Sequence, residues 1–262
     1  MYRFAFCLFV LIALTSALPA SAAIHTEAVD YSVDGVPHIG YLAYDDASQD
    51  PRPGVLVVPE WWGLNDYAKQ RARQLAEAGY VAFAADMYGN RRTTDQPDEA
   101  ARWSQAAKPQ LRNLGRAALD VLAARAQVDA DHLGAIGFCF GGTSVLELAY
   151  SGAPLDAVVS LHGHLPPPGD DDTPGAAILV LHGAADPMVP LADVSRFAQA
   201  LNARPGLDWR LTMYGHAEHA FTNPAADAYG IEGVAYDETA ARRAWAATQG
   251  FLDDTLRAAP TD

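Results

Sequence analysis

Cysteine is scarce in this chain: there are two in 262 residues, Cys7 and Cys139. Two thiols close at most one bridge, so a disulfide-stapled scaffold is excluded. Positive charge is short as well. Eighteen lysines and arginines face 32 aspartates and glutamates, a formal net charge of −14, and such a surface repels nucleic acid and anionic lipid. Neither is expected as a partner. Metal-ligand spacing is missing too: there is no cysteine pair, no His-x-x-x-His in an expected helix and no carboxylate cluster, and His162-Gly163-His164 alone is a weak signal. No metal is expected. No repeat or break in composition divides the chain into halves.

What is present begins like an exported protein. Arg3, the apolar run 4–14 and the small-residue end Ala20-Ser21-Ala22 form the three regions of a secretory signal peptide, and the run is too short to span a bilayer. Cleavage after Ala22 leaves residues 23–262 as one domain, periplasmic or secreted and without membrane attachment. It also removes Cys7. Cys139 is then a single thiol in an oxidising compartment, where it must be buried or employed.

The remaining pattern alternates strands with helices. Residues 25–33 and 36–44 flank Asp34-Gly35, a strong hairpin signal. The Val-rich run 54–58 suits a parallel strand buried on both faces, and Pro59-Glu60-Trp61-Trp62-Gly63 stops it. A helix follows, with Asn65 as its N-cap and Gly79 as its stop. Next come a strand at 80–85, a polar excursion at 87–108 with a short helix around 98–107, and a helix at 109–126. Further on, strands are expected at 157–161, 177–181 and 208–214, with a Pro/Asp loop at 166–174 and helices at 191–203 and 237–256. This is one doubly wound α/β domain with a mostly parallel sheet and helices on both faces. Ligands in such sheets bind beyond the carboxyl ends of the strands, so chemistry is sought where strands stop.

One strand end stands out. Gly137-Phe138-Cys139-Phe140-Gly141-Gly142 follows the apolar run 133–136 and precedes a helical stretch at 143–150. Gly-x-nucleophile-x-Gly between strand and helix is the nucleophile elbow of α/β-hydrolases, here with cysteine where serine usually stands. The apex residue is strained, and glycines two positions either side let strand and helix pass closely. Cys139 would stand at a helix N-terminus, where the dipole favours a thiolate. A lone cysteine between phenylalanines also suits an inert core position, so the other strand ends matter.

Two of them carry suitable partners. Asp186, in a Gly-Ala-Ala-Asp-Pro turn after the strand at 177–181, and a histidine after the strand at 208–214 complete the order nucleophile, acid, histidine. The histidine would draw the thiol proton, and Asp186 would orient it. His219 and His216 both follow that strand, and His162, His164 and His182 follow others. An oxyanion needs two backbone N–H donors, for which Phe140 and Trp61 are the candidates. Glu60 is an unusual carboxylate at the end of a buried strand. Trp61, Trp62, Tyr88, Phe140 and Phe221 are candidates for an aromatic pocket wall.

Together Pro59-Glu60-Trp61-Trp62-Gly63, Gly137 to Gly142, Asp186 and His219-Ala220-Phe221 resemble the dienelactone hydrolase family, over nearly all of residues 23–262. The resemblance implies a single α/β-hydrolase domain, a Cys139-Asp186-His219 triad and no cofactor. Its His-x-Phe pattern selects His219 over His216. It also implies that Glu60 meets the thiol at rest and helps generate the thiolate when substrate arrives. Members that cleave dienelactone hold its carboxylate with arginines, one of them four residues after the histidine. Here that position is Asn223, and none of Arg91, Arg92 and Arg102 in the excursion can be matched to the second.

The expectation is an exported, monomeric cysteine hydrolase that opens a lactone or cleaves an activated ester through a thioester. Its substrate would meet Trp62, Tyr88, Phe221 and Asn223, and a neutral one is expected to be preferred to a carboxylate-bearing analogue. The alternative is a non-catalytic small-molecule binding protein on the same fold.

Overall fold

The N-terminal hairpin forms where Asp34-Gly35 predicts it. In the computed structural model, which describes residues 23–47 and 50–257, β1 (Ile24–Val33) and β2 (Val36–Asp45) pair antiparallel, with Val33 opposite Val36 and Ile24 opposite Asp45. Asp34 and Gly35 both have positive φ, 49° and 80°, which matches the twist of the two strands. The signal peptide expected at residues 1–22 lies outside the described residues.

Six more strands follow: β3 (Arg52–Val58), β4 (Val81–Ala84), β5 (Val128–Phe138), β6 (Ala157–Leu161), β7 (Ala177–Gly183) and β8 (Trp209–Tyr214). The eight-stranded sheet has the order β1-β2-β4-β3-β5-β6-β7-β8. The pairs β1-β2 and β2-β4 are antiparallel, and every later pair is parallel.

Side-chain alternation splits the core in two. Leu56 and Val58 of β3 point to the face covered by α3 (Leu111–Ala123), α4 (Phe140–Tyr150) and α5 (Leu191–Asn202). Val55 and Val57 point to the other, covered by α1 (Asp66–Glu77) and α6 (Glu238–Leu256). Burial on both sides is why β3, β4 and β6 are almost unbroken apolar runs. Asn65 caps α1 by accepting from Ala68 N–H, and Asp237 caps α6 by accepting from Ala240 N–H at 2.8 Å.

The excursion after β4 carries α2 (Pro97–Ala107), close to the expected short helix. Beyond it the chain departs from expectation. Pro109 has no N–H to donate, and residues 108–110 form a 3-10 turn before α3 starts at Leu111. The elbow strand is longer than its apolar run. β5 begins at Val128, and Asp129 pairs with Pro53 before a register shift brings Leu133 opposite Gly54. Polar residues at that solvated end hide the strand from a hydropathy reading. The helix after the elbow starts at Phe140, three residues earlier than the pattern suggests.

Candidate active site

β3, β5, β7 and β8 all run toward the same edge, so the segments after them converge. The elbow after β5 is set by its glycines. A Cβ on Gly137 would lie 2.0 Å from the carbonyl oxygen of Gly141, and one on Gly141 would lie 2.1 Å from that of Val58. Only glycine fits either position. Between them Cys139 takes φ 52° and ψ −115°, a region that disfavours side chains, and its thiol is half-buried.

The backbone N–H of Cys139 is shared between the Leu161 carbonyl, at 3.0 Å, and Nδ1 of His162, at 3.1 Å. That contact fixes the His162 tautomer. Nδ1 accepts, so Nε2 carries the proton and donates to Thr222 Oγ1 at 2.7 Å. Burial, reinforced by the charge on His219, holds the His162 pKa well below its usual value. His162 is therefore a neutral strut under the elbow. Tyr67 and Arg71 both bond the Thr222 carbonyl at 3.0 Å and hold the strut from α1.

His219 meets both expected partners. Its Nε2 lies 3.0 Å from Cys139 Sγ and its Nδ1 lies 2.8 Å from Asp186 Oδ2. Asp186 Oδ1 accepts from the N–H groups of Met188, at 2.8 Å, and Val189, at 3.3 Å. Burial pushes Asp186 upward, but the bond and charge of His219 and these N–H groups outweigh it, and its pKa falls. Burial likewise pulls His219 down. The interactions with Cys139 and with the Asp186 carboxylate outweigh that, and the imidazole is raised to about 10. The arrangement sets the sulfur and a carboxylate on opposite nitrogens of one imidazole.

The rival histidines fall elsewhere. His216 sits in an exposed turn with φ 64°. His182 is buried and bonds the Val189 carbonyl at 3.2 Å. His164 stands at the rim of the cavity above Cys139.

That cavity holds about 100 Å³ and is lined by Glu60, Trp61, Trp62, Cys139, His164, Met188, His219, Ala220, Tyr229, Ile231 and Val234. Trp62 packs on Trp61 with ring centroids 5.0 Å apart and on Tyr229 at 4.4 Å. Neither the Phe140 nor the Trp61 N–H has a hydrogen-bond partner among the described residues. Phe140 is the first residue of α4, where amides lack intrahelical acceptors.

Three residues assigned to substrate contact are not on this wall. Tyr88 is buried behind it and donates to the Trp61 carbonyl at 2.9 Å. Phe221 is fully buried against His162 and Tyr214. Asn223 is buried as well, because its side chain is consumed by Glu60 and Tyr229. Its Nδ2 donates to Glu60 Oε2 at 2.6 Å and to Tyr229 Oη at 3.1 Å, while its Oδ1 accepts from Ala225 N–H at 2.9 Å.

Glu60 also differs from expectation. Its carboxylate bonds Asn223, and the thiol bonds His219. Oε1 has no partner among the described residues, and burial lifts the pKa to about 7 against the pull of Asn223, His219 and Arg71. The excursion arginines do not reach the cavity. Arg92 folds back on the Tyr88 carbonyl and stacks over Trp103, and Arg91 and Arg102 are exposed. Of the lining residues missed by sequence reading, Met188, Ile231 and Val234 lie in loops without periodic pattern and Tyr229 ends a single 3-10 turn.

An elbow at the carboxyl end of a central parallel strand, with acid and histidine on the next strand ends, defines an α/β-hydrolase. The dienelactone hydrolase family model matches residues 39–256, and the chain belongs to that family. The solved structure named "m3DLH" is 40% identical with a TM-score of 0.85, over 89% of this chain and 99% of that one. A "Dienelactone Hydrolase-like Promiscuous Phospotriesterase P91 from Metagenomic Libraries" is 39% identical with the same TM-score, over 90% and 100%. A Bradyrhizobium protein named "Probable 2-oxo-3-(5-oxofuran-2-ylidene)propanoate lactonase" is 29% identical over 231 residues, 80% of this chain and 89% of that one. The chain is thus a carboxylic ester hydrolase of the dienelactone hydrolase type.

Proposed function

We propose that the protein is an exported cysteine hydrolase that opens a lactone, or cleaves an activated ester, through a thioester acyl-enzyme. The observation that carries this reading is His219 between Cys139 Sγ, at 3.0 Å, and Asp186 Oδ2, at 2.8 Å. The thiolate adds to the substrate carbonyl carbon, and the oxyanion takes the N–H groups of Phe140 and Trp61. The carbon–oxygen bond then breaks as the His219 imidazolium protonates the departing alkoxide. In a lactone that oxygen stays tethered to the acyl group. Water, deprotonated by His219, attacks the thioester, and the thiolate leaves.

The cavity favours uncharged substrates. Among the described residues no arginine or lysine lines it, and Glu60 contributes a carboxyl group to it. A panel of chromogenic esters and lactones, assayed on the protein and on Cys139→Ala, tests the chemistry, with acyl-thioester capture read by intact mass. A matched pair differing in one carboxylate tests the charge preference. A strong preference for the charged member would overturn it.

Phosphotriesters are a second substrate class, supported by the likeness to the P91 enzyme and by the uncharged rim. Multiple turnovers of a neutral chromogenic phosphotriester, lost in Cys139→Ala, are the expected signature, and time-dependent inactivation without turnover would make it an inhibitor instead. Export rests on Arg3, the apolar run and Ala20-Ser21-Ala22. Protein from the native host should begin at Ala23, and recovery with Met1 and Cys7 intact would remove the periplasmic or secreted assignment.

A further inference from the structure

A second cavity, of about 200 Å³, lies between the tip of the β1-β2 hairpin, the loop after β4 and the helices α2 and α3. Among the described residues it shares no lining residue with the cavity at Cys139. Val33, Val36, Met87, Tyr88, Trp103 and Leu114 supply apolar walls, and the Tyr88 and Trp103 rings meet edge-on at 5.6 Å. The volume falls below the roughly 300 to 1,000 Å³ of drug-sized sites, so it suits one ring rather than a larger ligand.

Besides Tyr88 and Trp103, four polar side chains border it: Gln110 is exposed, and of the other three two are already engaged. The Arg92 guanidinium donates to the Tyr88 carbonyl and lies 5.3 Å from the centre of the Trp103 ring. The Asp34 carboxylate accepts from Asn113 at 2.8 Å. The third is His38, only 3% exposed. Its Nδ1 lies 2.7 Å from the Asp86 carbonyl, which can only accept, so Nδ1 carries the proton. In the neutral ring Nε2 is then an acceptor, and no donor among the described residues reaches it. A lone pair on a residue that lines an aromatic-walled cavity can take a hydroxyl.

We propose that this cavity binds a neutral phenol, its ring against Trp103 and Tyr88 and its hydroxyl donated to His38 Nε2. Such an occupant sits one hydrogen bond from the cavity at Cys139, because Tyr88 donates to the carbonyl of Trp61, which lines it.

The test is calorimetric titration of the protein with phenol and with toluene, which replaces the hydroxyl by a methyl group. Wild type should bind phenol about tenfold more tightly than toluene. His38→Leu should reduce that ratio to about one by weakening phenol alone. Ala106→Trp, at an exposed lining position, should abolish binding of both without cutting into the core. Equal affinities in wild type, or no binding of phenol, would overturn the proposal. So would a preference that survives His38→Leu, or phenol binding that survives Ala106→Trp and therefore occurs elsewhere. Should His38→Leu fail to fold, the phenol-to-toluene ratio in wild type and the Ala106→Trp titration still decide.

Discussion

Asn223 Nδ2 lies 2.6 Å from Glu60 Oε2, joining two buried residues 163 positions apart in the chain. An amide can satisfy a carboxylate oxygen, but it brings no charge to balance one. Glu60 accordingly stays protonated up to about pH 7. Deleting the donor should be felt most when the carboxylate is ionised. Asn223→Leu is expected to lose about 1 to 3 kcal/mol of stability at pH 8 and distinctly less at pH 5, measured by urea unfolding. Equal losses at both values would show that the amide does not serve the ionised form.

Glu60 itself should destabilise the native state in alkaline solution. Its folded pKa of about 7 is above the usual 4.5, so between those values the folded chain holds a proton that the unfolded chain has released. Stability from this group falls as pH rises from 4.5 through 7 and is flat below and above that window. Glu60→Gln keeps an acceptor for Asn223 and removes the ionisation. It should be more stable than wild type by up to ~3 kcal/mol at pH 8 and equal to it near pH 4. A constant difference across the range would place the Glu60 pKa elsewhere.

Cys139 and His219 should fail together. If the thiolate and imidazolium act as one unit, Cys139→Ala and His219→Ala each lower kcat by at least about a thousandfold, and the double variant is no slower than either. Multiplicative losses would mean independent roles. Circular dichroism on each variant guards against misfolding.

The elbow tolerates no added carbon. A Cβ at residue 141 would sit 2.1 Å from the Val58 carbonyl oxygen, and backbone on a central strand cannot yield. Gly141→Ala should lose several kcal/mol, roughly 3 or more, or fail to fold. Gly250→Ala is the control, since nothing lies within 4 Å of its added Cβ. It should be neutral or slightly stabilising, being helical.

How far the sequence reveals this molecule depends on the range of the interaction. The Asp34-Gly35 hairpin, the buried run of β3 and the glycines around Cys139 are local constraints, visible within a few residues. Asp186 and a histidine after β8 are legible through topology, because strand ends in a parallel sheet converge, while the choice of His219 over His216 comes from the family resemblance. The Asn223–Glu60 bond follows no local rule. It sends to Glu60 a side chain that the family resemblance assigns to the substrate. Phe221 is misplaced for the same reason, since an aromatic beside a catalytic-looking histidine reads alike whether it faces a cavity or the core. His162 carries a different lesson. Its role as a neutral acceptor for Cys139 N–H depends on a positive φ of 40° at the end of β6, which no residue type announces.

The backbone of His219 is tied on both sides to the wall it faces. Its N–H donates to the Gly233 carbonyl at 3.0 Å, and its own carbonyl accepts from Ala235 N–H at 3.1 Å. Between them Val234 lines the cavity, as does Ile231 nearby. Reshaping that wall for a bulkier substrate therefore also shifts the imidazole against the sulfur, where a displacement of 1 Å can cost about a hundredfold in rate. Substrate breadth and turnover are mechanically linked here. Selection for new substrates in a laboratory lineage should leave residues 233–235 unaltered.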